Sequence, residues 1–143
     1  MLHVTVRSKV ERALRAFSTG ERYPPDINEV TRTAKLTNYL VPEFPGWEVD
    51  AEYNRDIDKT KKLMGDVVKP DVIIHRRHRK RENLLVIEAK PKSRRRGERA
   101  DKQRLKTFCT DPNYLYEHCA FLLFQLRDQD HPYKIEWLCC HDE

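Results

Sequence analysis

The sequence predicts a single α/β domain over residues 1–143, in which two helices precede three strands and a third helix precedes two more. Three observations predict this class. A chain of 143 residues has the size of one domain. Apolar residues recur at helical spacing near the N-terminus and again after Glu98. Short apolar runs rich in Val and Ile, typical of strands, lie between and after these segments. The predicted order is therefore ααβββαββ.

The helices are predicted from apolar stripes and from the residues that begin and end helices. The first helix covers 4–17, and its apolar stripe consists of Val10, Ala13, Leu14 and Phe17. The second covers 27–40, where Asp26 is suited to the N-cap and Pro42 stops the helix. The third covers about 98–108 and follows a basic turn.

The predicted strands are 47–53, 67–75, 84–90, 120–124 and 134–140. A polar connection over 55–65 separates the first two strands. The fourth strand is an unbroken apolar run, which is typical of a strand that is buried on both faces.

Two neighbouring predicted strands carry charged residues where a buried strand ordinarily has none. Asp71 stands at the start of the second strand, and Glu88 and Lys90 stand at the end of the third. Because side chains alternate between the faces of a strand, His75 shares a face with Asp71, and Leu84 shares one with Glu88 and Lys90. We expect His75 to face Leu84, and we interpret it as a packed histidine rather than a ligand.

An antiparallel hairpin of these two strands brings the carboxylates together. With Ile73 opposite Val86, Asp71 faces Glu88 and residues 76–83 form the loop. Opposed side chains in such a pair lie about 5 Å apart at Cβ. Two carboxylates at that separation repel each other unless a cation lies between them. Mg²⁺ suits the position because it takes oxygen ligands and usually only one or two protein carboxylates.

The residues of this hairpin resemble a known signature. Pro70-Asp71 followed by Glu88-Ala89-Lys90 is similar to the motif of the PD-(D/E)XK nuclease superfamily. A further similarity, to a group of small microbial members of that superfamily, extends over roughly 26–126. It includes the stretches Glu52-Tyr53-Asn54-Arg55-Asp56 and His75-Arg76-Arg77. Some relatives have a glutamine followed four residues later by tyrosine. Here Gln103 is followed by Thr107, so the chemistry of that subfamily is not expected.

The resemblance implies a restriction-endonuclease-like αβββαβ core, to which this chain adds an N-terminal helix and a C-terminal strand. It also implies metal-dependent hydrolysis of phosphodiester bonds in nucleic acid, with DNA as the expected substrate. Mg²⁺ is the expected metal, and Mn²⁺ is its alternative. The resemblance implies that Asp71, Glu88 and the carbonyl oxygen of Ala89 bind this metal. Lys90 is then expected to orient or deprotonate the attacking water.

Glu29 has two interpretations. It lies three residues after Asp26, so it is suited to the N3 position of a capping box. The resemblance instead implies that a glutamate at this place in the preceding helix reaches the metal site. Both interpretations stay open.

The net charge of +5 conceals a strong asymmetry along the chain. Residues 75–106 contain fourteen Lys and Arg against four Asp and Glu, and such clustering is typical of phosphate binding. Arg55, at the exit of the first strand, either holds a phosphate or is an ordinary turn residue. The other expected nucleic-acid contacts flank the charged hairpin: Arg76, Arg77, Arg79, Lys80, Lys92, Arg94, Arg95 and Arg96.

Composition excludes several other classes of protein. The chain is 38% hydrophobic and 36% charged, and it has neither an apolar run of membrane-spanning length nor the apolar core of a signal peptide near its start. We therefore expect a cytoplasmic protein. The four cysteines lack the paired short spacings of a zinc site and are expected to be reduced thiols: Cys109, Cys119, Cys139 and Cys140.

Two further expectations concern partners. A chain of this length leaves little room for a separate recognition domain, so sequence specificity would require a homodimer or an accessory protein. The alternative to a nuclease is a non-catalytic nucleic-acid-binding or partner-binding module of a defence or mobile-element system.

Overall fold

The computed structural model describes residues 1–20, 29–51, 62–63, 66–67, 70–77, 82–91, 97–125 and 132–140. The helices are α1 (His3–Gly20), α2 (Glu29–Leu40) and α3 (Glu98–Thr110), with a 3₁₀ turn at Val41–Glu43. The strands are β1 (Glu48–Ala51), β2 (Lys62–Leu63), β3 (Asp66–Val67), β4 (Val72–Arg76), β5 (Glu82–Pro91), β6 (His118–Phe124) and β7 (Tyr133–Cys140). This confirms the predicted mixed α/β class.

Five of these strands form one mostly antiparallel sheet in the order β1-β4-β5-β6-β7. Only the β5–β6 pair is parallel, and a parallel neighbour requires a crossover, which α3 provides. The strands β2 and β3 form a separate short hairpin, part of which falls where a polar connection was predicted.

The predicted hairpin register holds in its centre and changes at one end. Ile73 pairs with Val86, as predicted. Ile74 pairs with Leu85 but His75 pairs with Asn83, so β5 contains a bulge at Leu84. The expectation that His75 faces Leu84 is therefore wrong.

The bulge also moves Leu84 off the face on which it was expected. Leu84 and Leu85 are both fully buried in the core beneath α1 and α2, on the face opposite to that of Val86. Burying both leucines on one face explains why β5 accommodates an extra residue here. Leu84 consequently does not share a face with Glu88 and Lys90.

The helices cover the two faces of the sheet. On one face, the predicted apolar stripe of α1 is buried together with Leu36 of α2. On the other face, α3 buries Leu105 and Phe108 against Val86 and Phe121. The charged end of the β4–β5 pair lies beside the first turn of α3, so α3 helps to define the site.

Two further sequence expectations have partial outcomes. Cys109 and Cys119 are free, buried thiols, as expected, whereas the side chains of Cys139 and Cys140 lie outside the described residues. No helix in the described part of the chain has the length and apolar character that crossing a membrane requires.

Candidate metal centre

Asp71 is held against the end of β5 by a hydrogen bond. It occupies the bend just before β4, and its Oδ2 accepts a 2.7 Å hydrogen bond from the backbone N–H of Ala89. Val72 pairs with Ile87, so Asp71 and Glu88 are the next residues outward on the two strands. The start of β4 and the end of β5 are thereby tied together.

The Ala89 carbonyl points to the same side of β5 as Asp71. In an extended strand, the N–H and C=O of one residue point toward the same edge. The Ala89 N–H bonds to Asp71, so its carbonyl also faces the side on which Asp71 lies. The carboxylate offers two oxygens with about four lone-pair sites, and the bond to Ala89 uses one of them. An oxygen donor set of two carboxylates and one carbonyl suits a hard divalent cation.

Glu88 and Lys90 lie on the α3 face of the sheet. Ala89, between them, is buried in the core beneath α1 and α2, and side chains alternate along the strand. The Lys90 ammonium forms an ion pair with Oδ2 of Asp101, in the first turn of α3. Asp101 also pairs through Oδ1 with the guanidinium of Arg104. The lysine is therefore anchored to the helix as well as to the strand.

Asp101 is a residue that the sequence reasoning missed. Nothing in the local sequence connects it with Lys90, because the contact depends on how α3 packs after the turn. One signal was available. An acidic residue in the first turn of a helix is favoured by the partial positive charge there, and Asp101 follows a strongly basic segment.

A second cluster of metal-ligating side chains lies at the opposite end of β4. Glu48, Asp50 and His75 each offer a ligand atom, and these atoms lie within 4.8 Å of one another. The register brings them to one face, since Glu48 pairs with His75 and Asp50 pairs with Ile73. The His75 Nε2 lies 2.7 Å from Asp50 Oδ2, and both residues are buried. The alternation of Glu48 and Asp50 in β1 was the sequence signal for this cluster.

Arg77 already supplies positive charge to this second cluster. Its Nη2 donates to Asp50 Oδ2 at 2.7 Å, and its Nε lies 3.3 Å from Glu48 Oε2. A cation bound by Glu48, Asp50 and His75 would have to compete with the guanidinium. The arrangement is that of a charge network that joins β1 to β4.

The predicted nucleic-acid contacts have different outcomes. Arg76 is engaged within the protein, with an ion pair to Glu82 at 2.8 Å, a hydrogen bond to the Gly46 carbonyl, and a stack 3.9 Å from the Trp47 ring centre. Arg77 is engaged as described above. The other predicted contacts lie outside the described residues: Arg55, Arg79, Lys80, Lys92, Arg94, Arg95 and Arg96. The Glu29 side chain also lies outside them, although Glu29 is the first residue of α2.

Comparisons with protein-family models, curated proteins and solved structures found no match to this chain. The functional argument therefore depends on the residues of the chain and their geometry.

Proposed function

We propose that this protein is a metal-dependent nuclease that hydrolyses phosphodiester bonds in nucleic acid, with DNA as its substrate. The observation that carries the proposal is the 2.7 Å hydrogen bond from the Ala89 N–H to Asp71. It joins the two halves of the resembling motif, Pro70-Asp71 and Glu88-Ala89-Lys90, at one end of adjacent strands.

The order and direction of the strands support a restriction-endonuclease-like core. β1, β4 and β5 form an antiparallel meander within the sheet, and α3 then leads to β6, which is parallel to β5. With α2 in front, this order agrees with the αβββαβ core that the resemblance implies. α1 and β7 would be the additions at either end.

Asp71, Glu88 and the carbonyl of Ala89 would hold the metal, Mg²⁺ or Mn²⁺. Such a metal, when bound, activates water as a nucleophile and offsets charge on the scissile phosphate. Lys90 lies on the same face as Glu88 and can donate hydrogen bonds to a water or to a phosphate oxygen. Its positive charge would further offset the negative charge that develops during hydrolysis. The basic segments around the hairpin would attract the phosphate backbone.

The proposal is tested by cleavage of labelled DNA with Mg²⁺, with Mn²⁺ and with EDTA. Wild-type protein should cleave only when a divalent metal is present. Lys90→Ala should lower the rate at least about 100-fold, a typical contribution for a group that handles a proton or its charge in the transition state.

Lys102→Ala is the matched control for this experiment. Lys102 also has acidic partners, Glu98 at 2.8 Å and Glu136 at 2.5 Å, but it does not belong to the motif. Its replacement should leave the rate within about twofold of wild type. Cleavage by Lys90→Ala at the wild-type rate would refute the catalytic assignment. Metal-independent binding of DNA without cleavage would instead favour the non-catalytic module.

A further inference from the structure

We propose that Asp101 is a positioning residue for Lys90: it holds the lysine ammonium in the orientation that the hydrolysis requires. The inference rests on the proposed nuclease function and adds to it a residue outside the resembling motif.

The contact between the two side chains is shielded from water. The Asp101 side chain is 9% exposed and that of Lys90 is 24% exposed, and the Lys90 ammonium meets Asp101 Oδ2. A lysine side chain has four rotatable bonds beyond Cα and otherwise samples many rotamers. A buried carboxylate at its tip restricts that sampling, so the ammonium keeps one position near Glu88.

Asp101 is itself held from two directions. Its backbone N–H donates to the Gly97 carbonyl at 2.9 Å, which places the residue in the first turn of α3. Its second carboxylate oxygen pairs with Arg104, one turn further along the helix. The partial positive charge of the helix N-terminus also favours a carboxylate at this point. The carboxylate therefore links α3 to β5 without freedom of its own.

The pairing also selects between the two roles expected for Lys90. An ammonium that faces a carboxylate donates hydrogen bonds and carries positive charge, but it has no lone pair with which to take a proton. Lys90 would thus orient the attacking water and offset phosphate charge, and it would not deprotonate the water. Asp101 acts only through Lys90, since no step requires it to touch the substrate.

The decisive variant is Asp101→Asn, which keeps the shape and removes the charge. We expect kcat to fall about 100-fold, the cost of a small misplacement of a reacting group, while KM for DNA changes less than about twofold. Asp101→Glu keeps the charge with a longer side chain and should recover part of kcat. This second variant keeps the test decisive if Asp101→Asn folds poorly.

Glu98→Gln is the matched control, because Glu98 lies in the same first turn and pairs with a different lysine, Lys102, at 2.8 Å. It undergoes the same loss of charge and should keep kcat within about twofold. Melting temperatures of all variants establish that the assay temperature leaves them folded. A purely structural ion pair would lower the melting temperature in Asp101→Asn and leave kcat unchanged, and that result would overturn the inference.

Chemical labelling of the Lys90 amine separates failure of this inference from failure of the proposed function. Acetic anhydride should modify Lys90 faster in Asp101→Asn than in wild type, and Glu98→Gln should not change the rate. If wild-type protein cleaves DNA but Asp101→Asn cleaves equally well, only the positioning role is refuted. If wild-type protein does not cleave, the proposed function fails and the positioning role fails with it. Protection of Lys90 would then mark a structural ion pair.

Discussion

Replacing Arg77 with methionine should destabilise the fold, although sequence reasoning assigned this arginine to nucleic-acid binding. Methionine keeps the length and the apolar stem of the side chain and removes the guanidinium. Asp50 would then lose its 2.7 Å partner, and Glu48 would lose its 3.3 Å ion pair with Nε. The Asp50 carboxylate would keep His75 as a partner, at 2.7 Å.

The expected loss follows from the burial of each group. The Asp50 side chain is 8% exposed, and removing one partner of a fully buried ion pair costs about 3–5 kcal/mol. Arg77 is 39% exposed, so water screens part of the interaction and reduces the cost. A hydrogen bond to a charged group contributes about 1.5–3 kcal/mol, which places the expected loss near 2 kcal/mol. For a domain of this size that is a fall in Tm of about 8 °C.

Thermal and urea unfolding of Arg77→Met measure this loss, with Arg7→Met as the matched control. Arg7 also pairs with a carboxylate, Glu11 at 3.2 Å, but that pair is exposed and should contribute less than about 1 kcal/mol. DNA binding is measured on both variants in parallel. If Arg77→Met keeps the wild-type Tm and loses DNA affinity, Arg77 is a nucleic-acid contact and the charge network does not stabilise the fold.

Two further predictions concern pH and salt. Burial, and after it the Asp50 carboxylate, raises the pKa of the Tyr116 phenol above its usual range. The unfolded chain then loses this proton near pH 10 while the folded protein keeps it, so the free energy of unfolding should fall as pH rises above about 10. Tyr116→Phe should reduce that fall in urea melts at pH 9–11, and an unchanged slope would contradict the argument. Neutralising Arg94, Arg95 and Arg96 should make DNA binding less sensitive to salt, by about 0.9 in log–log slope for each phosphate that the protein no longer neutralises. An unchanged slope would mean that these arginines bind no phosphate.

Much of the fold could be predicted because its signals are local. The apolar stripe of α1 is spaced for a helix, and all four of its members are buried. The centre of the β4–β5 hairpin follows from matching two short apolar runs. The bulge at Leu84 had no such signal, since a leucine suits either face of a buried strand. Only the three-dimensional packing of Leu84 and Leu85 against α1 and α2 shows the shift.

The charged residues divide in the same way. Asp71, Glu88 and Lys90 stand out because charge is unusual at the ends of apolar strands. Asp101 and Glu48 do not stand out, because their partners are distant in the sequence and ordinary helices and edge strands carry many acidic residues. The engagement of Arg77 was missed for the same reason: a basic run looks the same in sequence whether it faces water, nucleic acid or a buried aspartate.

The most direct test of the proposed metal site is the effect of Mg²⁺ on the thermal stability of wild type and of Asp71→Asn. Asparagine keeps an oxygen that can accept the Ala89 N–H and removes the charge that faces Glu88. Without metal, the variant should be at least as stable as wild type, because close carboxylates repel each other.

At a hundredfold excess over Kd, Mg²⁺ should stabilise wild type by about 2.7 kcal/mol, and Asp71→Asn should lose most of this gain. That corresponds to a rise in Tm of roughly 10 °C for wild type. If Mg²⁺ changes the Tm of neither protein, and Asp71→Asn is less stable than wild type in EDTA, Asp71 is a structural residue and the metal site does not exist.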